Sequence, residues 1–350
     1  MMKAANKTNY ILCFLISVVL FTSCSKDRDD DTEPMNTKIE VSATKINTAV
    51  HNPNVSMATM GYNDNTFYVL DVENGKSFPA GTSPFMAYDV VQNTWTKLYI
   101  PSFVTENTDY GVGKLVYRVA NNAIYSMYYG NEMLVYATSK YPVAGMRNQW
   151  YKDPIPATCR TQYGTYTYGG GAIYTLGNID GKVAINVLGT DWKQLTKLNE
   201  KWTATPYRNS LFYNKKIYAL AVDDTPSSDQ ILGYIYDTEA LTVEKIAVPS
   251  YLHTQQIHNA NHQLAVYKDV LLVLHPTWKA SSGTVPNKYS ITAFNIKTKV
   301  WCDAPVDLPD DFLNEGANLF VTETGKIYAA GIKNNNFALY ELQLRLPDGW

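Results

Sequence analysis

The chain has 350 residues, 30 basic against 32 acidic, a net charge of −2, and only four cysteines. It carries no basic block, so nucleic acid is not an expected partner. Its length suffices for one repeat domain or two ordinary ones.

Lys3 and Lys7 precede an apolar run, Ile11 to Phe21, which is followed by Thr22-Ser23-Cys24. A basic start, a short apolar stretch and small residues before a cysteine describe a secretory signal, too short for a bilayer core of about 30 Å. The segment resembles a bacterial lipoprotein signal, which implies that Cys24 is lipidated and becomes the first mature residue. The acidic run Ser25 to Glu33 resembles the stretch that sends Bacteroidetes lipoproteins to the cell surface. Cleavage removes Lys3 and Lys7 and leaves 28 basic against 32 acidic residues. The later apolar run Ala265–Leu274 is interrupted by Lys268 and Asp269, so attachment by lipid alone is expected. The expected division is a signal over 1–23, an acidic tether over 24–37, and one domain over 38–350. With Cys13 lost and Cys24 lipidated, Cys159 and Cys302 remain. Export permits a disulfide, but two isolated cysteines leave their pairing open.

No convincing helix follows. Apolar residues alternate or come in short runs, and the 27 tyrosines suit strands. One short strand recurs six times after a turn-like pair: Asn65–Leu70, Asn122–Met127, Gly171–Leu176, Lys215–Leu220, Asp269–Leu274 and Gly325–Ala330. Positions 68, 125, 174, 218, 272 and 328 lie 57, 49, 44, 54 and 56 residues apart, a spacing that fits one four-stranded blade per repeat. A second signal lies downstream. Tyr88-Asp89 leads to Trp95 by the same step that takes Phe294-Asn295 to Trp301, while Tyr236-Asp237 leads to Val243. Trp150 and Trp192 are read as the equivalent position in the second and third units.

These residues resemble kelch repeats, in which an aromatic residue and a tryptophan of the outer strands pack between blades. The kelch double glycine is clear only at Gly169-Gly170-Gly171. The expected fold is all-β, a six-bladed β-propeller with blades over 55–101, 110–156, 161–199, 202–249, 256–309 and 315–345. The last unit holds three strands, so an N-terminal strand over 38–48 is expected to close it. A double β-sandwich is the rival fold.

Tests for chemistry are mostly negative. His253, His258 and His262 are spaced by five and four, but no glutamate follows His258 as a zinc-protease motif requires. A polar turn is favoured there, with His258 at the start of an inner strand. There is no nucleophile elbow, P-loop or dinucleotide fingerprint, and Arg118, Arg147, Arg160 and Arg208 form no sialidase-like triad. The adjacent pairs Asp223-Asp224 and Asp310-Asp311 lack the facing separation that glycoside hydrolysis needs. No metal or cofactor is expected, and binding is favoured over turnover.

Propellers bind on the face made by loops entering the inner strands and loops joining the second and third strands. The ligand-binding residues expected there are Trp278, His275, Tyr207, Arg208, Arg160, His258 and Arg147, because aromatic faces stack on sugars or chelates and guanidinium groups hold carboxylates bidentately. The resemblance implies a lipid-anchored outer-membrane protein that binds a glycan or iron chelate, as an accessory to an outer-membrane transporter. A protein-interaction scaffold and a carbohydrate-active enzyme are the alternatives.

Overall fold

Two consecutive residues with positive φ recur at one place in four repeats: Asp64-Asn65, Gly170-Gly171, Asn214-Lys215 and Lys268-Asp269. This is the backbone of a type I′ hairpin turn, whose twist matches that of the strands it joins. These pairs mark four tight hairpins, and the remaining two repeats turn through a single positive-φ residue, Asn122 or Gly325. The computed structural model describes residues 37–48, 58–71, 85–100, 115–128, 132–201, 204–223, 230–253, 262–277, 288–313, 315–334 and 336–350.

The first strand is β1 (Glu40–Ile46). Blade one follows as β2 (Ala58–Asn63), β3 (Thr66–Asp71), β4 (Phe85–Asp89) and β5 (Thr94–Lys97). Blade two is β6 (Val116–Arg118), β7 (Ala123–Tyr128), β8 (Glu132–Ala137) and β9 (Gln149–Pro154). Blade three is β10 (Gln162–Gly169), β11 (Ala172–Ile179), β12 (Lys182–Leu188) and β13 (Trp192–Lys201). Blade four is β14 (Ala204–Tyr213), β15 (Lys216–Asp223), β16 (Ile231–Asp237) and β17 (Thr242–Ile246). In blade five, β18 (Gln263–Tyr267), β19 (Val270–Thr277) and β20 (Lys288–Asn295) meet an outer strand split into β21 (Val300–Trp301) and β22 (Val306–Asp307). Blade six is β23 (Glu315–Val321), β24 (Ile327–Lys333) and β25 (Asn336–Arg345), with β1 as its fourth strand.

All pairing is antiparallel. Inner strands touch in the order β2, β6, β10, β14, β18, β23 and back to β2, which closes the ring. β1 pairs with β25 from Glu40↔Arg345 to Ile46↔Leu339, so the N-terminal segment completes blade six as expected.

The core lies between the blades. One apolar cluster fills each of the six interfaces, and alternate residues of a strand serve opposite neighbours. In blade two, Ile124, Leu134 and Tyr136 pack toward blade one, while Tyr125, Met133 and Val135 pack toward blade three. Strands buried on both faces read as short continuous apolar runs, which is the pattern seen in the sequence.

The outer-strand signal is also structural. Trp95, Trp150, Trp192, Val243 and Trp301 stand opposite Tyr88, Tyr136, Leu188, Tyr236 and Phe294, so the five positions are equivalent. The Asp or Asn after the aromatic residue closes the outer turn. Asp89 Oδ1 accepts from the amides of Val91 and Gln92, Asp237 Oδ1 from Glu239 and Ala240, and Asn295 Oδ1 from Lys297 and Thr298. Cys159 and Cys302 are both free and buried, one beside blade three and the other in blade five.

Candidate functional site

Each inner strand is the edge of its sheet, so part of its backbone N–H and C=O groups faces the axis without a partner in the ladder. Around that axis lies a cavity of about 270 Å3. Its wall draws on the inner strands of all six blades: Tyr62 in β2, Leu115 to Tyr117 at β6, Tyr166 to Tyr168 in β10, Ser210 and Leu211 in β14, Leu264 to Val266 in β18, and Leu319 to Val321 in β23.

Among the described residues, none of those lining the cavity carries a charge. The side-chain polar groups are phenols and small hydroxyls, and several are engaged in holding the wall. Tyr62 Oη donates to Asn65 Oδ1 at 3.4 Å and Tyr117 Oη to Asn122 Oδ1 at 3.0 Å. Burial raises the pKa of both phenols, which keeps them protonated. Thr165 and Ser210 hydroxyls meet at 3.2 Å, and Thr167 Oγ1 accepts the Phe212 amide at 2.9 Å, joining β10 to β14. The described lining residues offer a charged ligand no counter-charge for the water it would lose. An uncharged ligand with hydroxyls meets backbone donors, backbone acceptors and aromatic faces.

A second polar group lies between blades four and five. His262 and His275 stack with ring centroids 6.0 Å apart and planes 18° apart, both nearly inaccessible. His262 Nε2 donates to the Leu252 carbonyl at 3.2 Å, whereas His275 Nε2 has no hydrogen-bond partner. Desolvation lowers the pKa of His262 to about 4. Desolvation and then the His262 ring lower that of His275 to about 3, against an opposing pull from Asp307. Across the same blade Ser290 Oγ donates to Asp307 Oδ1 at 2.6 Å, and Lys288 Nζ lies 2.8 Å from Asp307 Oδ2. Among the described residues, no three His, Cys, Asp or Glu side chains converge as a metal site does.

The expected binding residues are dispersed. His275 is buried against His262, and so does not present its ring to solvent as expected. The physical reason is its place on β19, a second strand buried on both faces. Arg160 is exposed in the link into blade three, its Nε donating to the Ile155 carbonyl at 3.0 Å. Arg147 is exposed too, but in the link between β8 and β9, and its Nε bonds the Tyr141 carbonyl at 2.8 Å. Antiparallel strands alternate direction, so a link from third to fourth strand emerges at the opposite end from a link into an inner strand. Arg147 and Arg160 therefore belong to opposite ends of the propeller. Tyr207 and Arg208 lie on β14, where its register with β15 shifts between Pro206 and Ser210. Trp278, His258 and Cys24 lie outside the described residues. The channel residues were missed in the sequence. Their signal was available, since each lies within a few residues before a repeated turn.

No protein-family model matches the chain, and no curated protein matches it. Solved structures do. A Bacteroides thetaiotaomicron VPI-5482 protein of unknown function aligns at a TM-score of 0.53 and 12% identity, over 87% of this chain and 77% of its own. The structure of YjhT aligns at 0.51 and 13% identity, over 85% of this chain and 95% of its own. A Bacteroides fragilis NCTC 9343 protein provisionally described as exported aligns at 0.49 and 11% identity, over 90% and 98%. At these identities the likeness concerns fold alone, and together with the closed ring of six sheets it makes this chain a six-bladed β-propeller.

Proposed function

We propose that this protein is a lipid-anchored, cell-surface propeller that captures a small uncharged sugar or sugar terminus in its axial channel, as an accessory to nutrient uptake. The observation that carries the reading is the set of uncharged, tyrosine-rich residues described around a cavity of about 270 Å3. Sugars present apolar ring faces to aromatic side chains and hydroxyls to backbone groups. Ferric chelates are larger and commonly charged, and the described lining residues include none that would balance a charge. Export and anchoring rest on the signal ending at Cys24. The kelch-like reading is supported by the aromatic–tryptophan pairs on the outer strands.

The test is a thermal-shift screen of neutral mono- and disaccharides beside ferric chelates. Ligand at a hundred times its dissociation constant stabilises by about 2.7 kcal/mol, a shift of a few degrees for a domain of this size. A neutral sugar is expected to give that shift, and Val266→Phe, which narrows the channel, is expected to abolish it. A shift from chelates alone, or from no compound, ends the proposal.

A further inference from the structure

The end of the propeller opposite the inner-strand entries carries an apolar tip that its turns do not require. Among the described residues, Val91 is 75% exposed, Val119 55%, Val143 53% and Leu241 37%. All four lie in links between first and second or third and fourth strands, and so at one end. The equivalents of Val91 in blades four and five are Glu239 and Lys297, so the turn itself accepts a charge there. Leu241 has φ 55°, a conformation for which its equivalents supply Asn93 and Lys299. An exposed leucine held in the left-handed region opposes both solvation and backbone preference, which marks a local rule broken for another purpose.

The link between β8 and β9 goes furthest. Pro142, Val143, Ala144 and Gly145 are all exposed, with Lys140 and Arg147 on either side. Lys140 Nζ lies 3.3 Å from Asp64 Oδ2, an exposed pair worth little in water, and among the described residues no carboxylate lies within ion-pair distance of the Arg147 guanidinium. A short apolar tip flanked by cations is the pattern of segments that enter a lipid interface, apolar atoms inward and cations at the headgroups.

The covalent path points the same way. β1 runs antiparallel to β25, so Thr37 enters the propeller at this same end. The 13 residues from Cys24 to Asn36 can reach no more than about 45 Å even fully extended.

We infer that this end of the propeller, led by the 138–148 link of blade two, docks on the surface of a lipid bilayer with anionic headgroups. Docked so, the channel mouth formed by the inner-strand entries faces outward. The orientation rests on the lipid anchor of the proposed function, while the surface itself does not.

The experiment uses the full chain in vesicles of phosphatidylcholine with about one part in three phosphatidylglycerol. Cys159 and Cys302 are buried, so a fluorophore placed at Val143→Cys, Val91→Cys or Lys182→Cys labels selectively. Quenching by lipid-borne bromine is expected to lower emission about twofold or more at positions 143 and 91, and not at 182, which lies at the other end. Equal quenching at all three positions, or protection at 143 by a second protein in place of lipid, overturns the inference. The mass of lipid on Cys24 is read from the same preparation. Should Cys24 be bare, the anchoring reading fails, and the surface is judged by sedimentation of the chain with these vesicles. Wild type is then expected to bind about fivefold better than Val91→Asp/Val143→Asp, and equal binding refutes it.

Discussion

Trp301 donates its indole N–H to the Ala247 carbonyl at 2.7 Å, and so ties the outer strand of blade five to the chain leaving blade four. Trp150 makes the same bond to Tyr99 at 3.0 Å, joining blade two to blade one. Tyr99 and Ala247 each stand four residues beyond the tryptophan position of the preceding blade, Trp95 in one case and Val243 in the other. The bond is thus a repeated inter-blade link. Trp301→Phe keeps most of the ring packing and removes only the donor, so a loss of about 1 kcal/mol is expected in chemical denaturation.

Gly169 precedes the blade-three hairpin, and a Cβ added there would strike the Phe212 ring of blade four. That ring cannot readily retreat, because it stacks on Tyr174 with centroids 4.6 Å apart and planes 13° apart. Gly169→Ala is expected to cost about 1–3 kcal/mol, as overpacking of a filled interface does. An unchanged melting temperature would show that the two blades can part there freely.

Stability should fall with acid before the carboxylates titrate. His262 and His275 have folded pKa values near 4 and 3, below the unfolded value of about 6.5. Between pH 6.5 and 4 the unfolded chain binds protons that the folded one excludes, so stability is full above about 6.5 and declines as pH falls through that window. Asp237, Asp269 and Asp307 have lowered pKa values, and their contributions are lost only below about pH 4. The pair should account for several kcal/mol between pH 7 and 4, and the His262→Gln/His275→Gln chain should show a flatter profile across that range.

β1 contributes Val41 and Ala43 to the interface of blades five and six and Ile46 to that of blades six and one. Removing residues through Thr48 leaves β25 as an open edge. The shortened chain is expected to melt many degrees lower, and a synthetic peptide of residues 37–48 added in excess should restore part of the loss by strand addition. Failure of the peptide to act would mean that closure needs the covalent connection.

Both buried thiols should be inert in the native state. A thiol-reactive dye is expected to modify Cys159 and Cys302 only on unfolding, and without prior reduction, since neither is bonded.

Much of this architecture was legible in the chain because its cause is local. The turn pairs set type I′ hairpins, apolar runs record strands buried on both faces, and the Asp or Asn after Tyr88, Tyr236 and Phe294 closes each outer turn through its own side chain. Even the closing role of 38–48 followed from counting three strands in the last unit. The site was less legible, because which end a link emerges from depends on strand direction within a finished blade. Arg147 and Arg160 are 13 residues apart in sequence yet fall at opposite ends, and His275, five residues after the repeat's Val270, is buried by a neighbouring blade that the linear order does not reveal. Periodicity is a property of neighbours along the chain and decided the fold. Burial and the meeting of six inner strands around one cavity arise from blades distant in sequence, and only the closed ring decided those.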